Sequence, residues 1–240
     1  MFPTQTEAPP SRISLLTAVM LVALALSTAG AWLVQETLGA AARRGAQIVA
    51  DMARRGLSHY WGGRSDVRWY LVTDANGRPH GWRLTTRKAD GDYYAGQDIL
   101  RTAQGAHQSQ WQLADDASEG RYASGTGLLR GQHPNVTIAL THNRVEVVTR
   151  FGASGLGPRP DNYIPEGAFP VVLLLTAAGG RPAKFKMIID QVAVIGGQVH
   201  FITLVVTPQG ADRVRASFTV LGKKPETTIY HLGADGGIEA

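Results

Sequence analysis

The residues able to do chemistry in this chain do not fall into a working set. Seven histidines are scattered at His59, His80, His107, His133, His142, His200 and His231. No two stand at the spacing of a helical or hairpin metal site. His133, His142 and His200 could meet across a sheet, but isolated histidines more often serve as exposed or hydrogen-bonded structural groups. Serine is sparse, and no Gly-x-Ser-x-Gly elbow occurs. Gly152-Ala153-Ser154-Gly155-Leu156-Gly157 has spaced glycines without the strand–turn–helix setting of a phosphate loop, and reads as a flexible linker. Asp115-Asp116 with Glu119 is too short a carboxylate series for a calcium loop and reads as a solvated acidic turn. Asn135-Val136-Thr137 matches a glycosylation sequon, a short pattern frequent by chance. Cysteine is absent, which excludes disulfides, thiolate ligands and a thiol nucleophile. The expectation is a protein that is not an enzyme and carries no cofactor or metal.

The aromatic residues offer binding instead of catalysis. Trp61, Trp69, Tyr70, Trp82, Tyr93, Tyr94 and Trp111 crowd the first half of the chain. Most are expected in the core or in cross-strand pairs. Trp61 is the candidate for a place at a bilayer surface, where tryptophan is favoured. Trp82 and Trp111, with Phe169, Leu174, Phe201 and Leu204, are candidates for lining a hollow in a sheet.

The elements that position these residues follow from composition and pattern. Of 240 residues, 28 are glycine and 12 proline, and only 18% are charged, which favours a turn-rich β domain over a helical bundle. The net charge of +5 is spread among interleaved acids, with no basic block. Nucleic-acid binding is therefore not expected. Residues 13–34 carry no charge and are long enough to span a bilayer as a helix. The competing reading is a secretory signal cleaved after Ala29-Gly30-Ala31. Trp32-Leu33-Val34 extends the apolar run beyond that site, so a retained single-pass anchor is preferred. Residues 1–12 form a short polar tail.

The Lys/Arg count near the two ends (Arg12 against Arg43, Arg44, Arg54 and Arg55) would place the large domain in the cytoplasm. The plan of one helix followed by a β-rich domain instead favours an exported, periplasmic domain by analogy. Residues 35–63 continue as a stalk helix, with Leu38, Ala42, Gly45, Val49 and Met52 on one face at steps of three and four. That face packs on its own domain or, alternatively, forms a partner seam. The Glu of the type IV pilin signature is missing, Thr17 standing near its place, so that plan is set aside.

Residues 64–240 read as the β domain. Strands are expected at 68–73, 80–87, 93–101, 108–113, 120–124, 136–140 and 144–151, with turns at Asp74-Ala75-Asn76-Gly77 and Ala89-Asp90-Gly91-Asp92. Residues 152–167 are read as a linker. A buried helix starts near Pro170 and closes at Gly179-Gly180, a buried strand being the alternative. Strands resume at 183–190, 198–206, 213–221 and 227–232. The fold class is thus mainly β: a transmembrane and stalk helix, then a curved antiparallel sheet with one buried helix.

From Arg68 to the end, the pattern resembles the LolA-like group of periplasmic half-barrel domains. The resemblance rests on the hairpin 69–82 with Gly77 and Gly81, the apolar segment 170–178, and the closing Thr228-Ile229-Tyr230 and Asp235-Gly236-Gly237. It implies a sheet wrapped on a helix and, in members that act as lipoprotein carriers, an acyl chain held in the hollow. Two functions follow as expectations. The first is a non-enzymatic accessory or scaffold subunit of a bacterial membrane complex, binding through the stalk helix or the β domain. The alternative is a periplasmic module that binds a lipid or acyl chain.

Overall fold

The computed structural model describes residues 12–62, 65–73, 78–103, 105–126, 128, 132–190, 193–220, 225–233 and 238–239. The expected tail 1–11 and the turns 74–77 and 235–237 lie outside the described residues, as does the Leu38 side chain. The chain divides into two units, Met1–Ala40 and Ala41–Ala240.

Helix α1 (Arg12–Arg55) is a single element that takes in the expected anchor and the expected stalk as far as Arg55. It contains no proline, and its alanine- and leucine-rich composition favours helix throughout. In the first unit the described apolar side chains Val19, Met20, Leu21, Val22, Leu24 and Leu26 are exposed. Ser27 Oγ donates to the Ala23 carbonyl at 2.7 Å and Thr28 Oγ1 to that of Leu24 at 2.9 Å. Among the described residues, no helix is long and apolar enough to cross a membrane.

In the second unit α1 enters a core. Gly45, Val49 and Met52 are buried there, and Ala42 is half-buried. Gly45 lies directly against the Lys184 carbonyl, leaving no space for a side chain. Arg44 Nε donates to the Pro182 carbonyl at 2.7 Å. Of the residues proposed as a partner seam, Ala42, Gly45, Val49 and Met52 thus pack within their own domain.

Gly56 stops α1 with φ 79, and α2 (Leu57–Trp61) follows, closed by Gly62 in the left-handed region. The acidic turn read as solvated in fact holds α2. Asp115 Oδ1 accepts from Ser58 N at 2.7 Å, Oδ2 accepts from Ser58 Oγ at 3.0 Å, and the Asp115 carbonyl accepts from Leu57 N at 2.6 Å. Asp115→Ala is expected to cost about 1 kcal/mol, the value of a lost helix cap. Denaturant unfolding measures it; an unchanged midpoint would show that the cap is dispensable.

The first sheet is an eight-stranded antiparallel meander in sequence order: β1 (Asp66–Thr73), β2 (Pro79–Asp90), β3 (Tyr93–Thr102), β4 (Gly105–Ala114), β5 (Gly120–Gly125), β6 (Val136–Leu140), β7 (Arg144–Thr149) and β8 (Ser154–Pro158). Strand β8 replaces part of the expected linker, and a 3-10 turn (Glu166–Ala168) leads from it into α3 (Phe169–Gly179). Helix α3 is apolar on all sides, which suits burial, with Pro170 in its first turn and Gly180 closing it at φ 61. The hairpin β10 (Val194–Ile195) and β11 (Gln198–Val199) lies against β8. The second sheet takes the order β15-β14-β13-β12-β9, built from β9 (Ala183–Met187), β12 (Ile202–Pro208), β13 (Arg213–Thr219), β14 (Glu226–Leu232) and β15 (Ile238–Glu239). One hydrophobic core joins α1, α3 and both sheets, with Phe185, Leu173, Leu204, Val145 and Val147 fully enclosed.

Candidate functional site

Alternation along a strand sends neighbouring side chains to opposite faces. In β1 this puts Asp66, Arg68 and Tyr70 on the inward face. Val67, Trp69 and Leu71 face outward, 62%, 65% and 62% exposed. Strand β2 follows the same rule: Arg83, Thr85 and Arg87 stand opposite the inward residues of β1, and Trp82 and Leu84 opposite the outward ones. The usual amphipathic sense of a sheet is inverted here, with charge inside and apolar groups outside.

The inward charges are paired. Arg68 Nε donates to Asp66 Oδ2 at 2.8 Å, and Arg87 Nη2 reaches the same oxygen at 3.4 Å. Arg83 Nε donates to both carboxylate oxygens of Asp98 at 2.9 Å. Burial alone would lower the Arg83 pKa, but the hydrogen bonds and charge of Asp98 outweigh it and hold it above the ordinary value. The Arg68 guanidinium and the Tyr70 hydroxyl also donate to the Ile238 carbonyl, at 3.3 and 3.1 Å, fastening β1 to β15.

A second group gathers at the start of α3. Burial pushes the Glu166 carboxyl up to about 7. The Asp98 and Asp190 charges add to the rise, while the Tyr122 hydrogen bond and the Arg83 charge oppose it. Burial raises the Tyr122 hydroxyl as well. Ser124 Oγ donates to Asp190 Oδ2, and His107 Nε2 lies 3.6 Å from that oxygen. This trio holds the residue types of a hydrolytic triad in an unproductive order. The carboxylate stands between hydroxyl and imidazole, so Asp190 and not His107 receives the serine hydrogen bond. Among the described residues, no group of His, Asp and Glu could hold a metal ion. A cleft lined by Trp111, Leu113, Tyr122, Ile138, Tyr163 and Glu166 has room for roughly one or two waters.

The residues nominated as ligand-lining are distributed differently from expectation. Trp82 is on the outward face, its ring 5.1 Å from that of Trp69, and so does not line the interior. Trp111 does face inward, but Gly96 and Gly167 press on its ring, where any added Cβ would collide. Phe169 packs on Phe218 and Tyr230, and Phe201 on Tyr163. Leu204 is fully buried and Leu174 half-buried. Trp61, expected at a bilayer surface, is 7% exposed and packed on Tyr94, with the Arg87 guanidinium 4.6 Å from its ring.

The residues that do gather inside the sheet, Arg83, Asp98, Glu166 and Asp190, were not nominated from the sequence. The available signal was the charged residues Asp66, Arg68, Arg83 and Arg87 among the inward positions of β1 and β2, which shows only once the register is known. Compared with known proteins, the chain matches no family model and no curated protein.

Proposed function

We propose that the chain is a single-pass, membrane-anchored, non-enzymatic accessory or scaffold subunit of a bacterial membrane complex, with its β domain on the periplasmic side. The observation that carries this reading is helix α1. One helix contains the uncharged run 13–34 and, in its last turns, the core residues Gly45, Val49 and Met52. Within that run the side chains of residues 13–16, 18, 25, 29 and 31–34 lie outside the described ones. The support there is the sequence, which has the length and apolarity a bilayer requires. Ser27 and Thr28 bond back to their own helix carbonyls, as hydroxyls in hydrocarbon must.

The acyl-chain alternative draws on a hollow that Phe169, Phe201 and Leu204 would line, and these side chains are packed against neighbours. The LolA-like resemblance then bears on architecture, a sheet laid on a helix, with carriage of lipid left aside. The unproductive order of Ser124, Asp190 and His107 favours a non-catalytic role.

Purification from native membranes in mild detergent tests the proposal. The expected result is a chain that resists alkaline washing of the membranes and elutes with one protein partner at fixed stoichiometry. Recovery with bound lipid and no protein partner would overturn the scaffold reading in favour of the carrier.

A further inference from the structure

We propose that the outward face of β1–β3 is a lipid-contacting surface that rests on the anionic headgroups of the membrane carrying the chain. This rests on the reading that the chain is membrane-tethered, and it adds a second, interfacial contact to the helical anchor.

The first argument is the inverted sense of β1 and β2. A shift of one residue in register would exchange the two faces of a strand, so the exposure of Val67, Trp69 and Leu71 is a choice of register. That register is held by the inward cross-strand pairs Arg87–Asp66 and Arg83–Asp98. Cross-strand neighbours extend the outward row into a patch. Leu71 stands opposite Trp82, Trp69 opposite Leu84, and Leu84 opposite Ile99. An exposed apolar patch of this kind marks a contact surface.

The second argument is what surrounds the patch. Arg101 stands directly opposite Trp82, and Lys88 lies farther along the same face of β2. Both are exposed. Among the described residues of this face, the first carboxylate is Asp90, at the hairpin end. Two adjacent tryptophan rings among aliphatic residues, bounded by cations, are the chemistry of a bilayer interface with negative headgroups.

The test uses the full chain in vesicles of phosphatidylcholine with phosphatidylglycerol. Because the chain has no cysteine, Leu71→Cys accepts one environment-sensitive fluorophore, and Gln209→Cys, at an exposed turn, supplies the reference. The label at position 71 is expected to shift to the blue, to be quenched by spin-labelled lipid, and to resist aqueous iodide that quenches the label at 209. Adding Arg101→Gln to the Leu71→Cys chain is expected to weaken the lipid contact about fivefold, the effect of one cation near a charged surface. Equal iodide quenching at both positions would overturn the proposal. Shielding from iodide without lipid quenching, together with energy transfer between labelled chains, would also overturn it and assign the face to a second copy of the chain. Alkaline washing of the same vesicles reads the anchor separately. A chain that washes off while its label at 71 had reported lipid contact would refute the anchor and retain the interfacial face.

Discussion

Replacing Gly45 by alanine is expected to destabilise the domain by about 3 kcal/mol, at the upper end of the usual overpacking range. In an exposed helix the same change stabilises by roughly 1 kcal/mol, because glycine is the poorer helix former. The sign reverses because the added Cβ would stand far inside the van der Waals contact distance of the Lys184 carbonyl oxygen, with Phe185 Cδ1 at 3.4 Å. A backbone atom in the middle of a paired strand cannot swing aside as a side-chain terminus can, so either α1 lifts from β9 or β9 distorts. Thermal unfolding in detergent, followed by tryptophan fluorescence, should show a midpoint roughly 6–12 °C lower. Gly30→Ala is the control, since nothing lies within 4 Å of a Cβ there. It should leave the transition of the β domain where it was. Equal behaviour of the two variants would mean that α1 is not seated on β9 as described.

A second large effect is expected from pH acting through Glu166. Its ordinary carboxyl value of 4.5 is raised to about 7 in the folded protein, first by burial and then by the charges of Asp98 and Asp190. Between these two values the folded state binds more protons than the unfolded one, so stability falls as pH rises. The contribution is fully present below about 4.5 and is lost as pH climbs through about 7. Integrated over that window it amounts to up to about 3 kcal/mol. Asp116, whose carboxyl is held below its ordinary value despite the burial that opposes this, acts in the opposite sense and at lower pH. Glu166→Gln keeps a polar group beside Tyr122 but cannot ionise, and should flatten the stability profile between pH 5 and pH 7.5. The sign of the slope is the diagnostic, because a paired surface carboxylate would make stability rise with pH. Superimposable profiles for the two proteins would refute the assignment.

How far the sequence could be read depended on which physical signal each segment carried. The hairpins of the meander were legible because turn residues separate alternating runs. At Gly91, with φ 63, the turn needs a residue free of Cβ strain. Helix α3 was legible because a continuous apolar stretch opens on Pro170 and closes on Gly179-Gly180. Strand β8 was not, because its glycines look like flexibility. In the fold, Gly155 has no side chain because the β10–β11 hairpin lies against it. A Cβ there would sit 3.0 Å from Val199 N.

The site was the least legible part. Alternation showed that Trp82 and Arg83 point to opposite faces but not which face is inside, and burial preferences alone would have sent the tryptophan inward. Pairing with Asp98, on the neighbouring strand, allows the arginine to stand on the inward face. In the same way, nothing local to Glu166 foretold that Asp98 and Asp190 would stand near it.

The seat of α1 on β9 also bears on the order in which the protein can be assembled. Each strand of the meander pairs with one made just before it, so that sheet can zip up as the chain emerges. The helix cannot follow the same schedule. Arg44 and its acceptor at Pro182 are 138 positions apart. The Ala41–Arg55 segment is made before β9 and must wait for it. Until then its apolar stripe and the hollow it will fill are both open to solvent. The step that seats α1 in the core is therefore a late and non-local one, and it lengthens the interval during which a nascent chain needs protection.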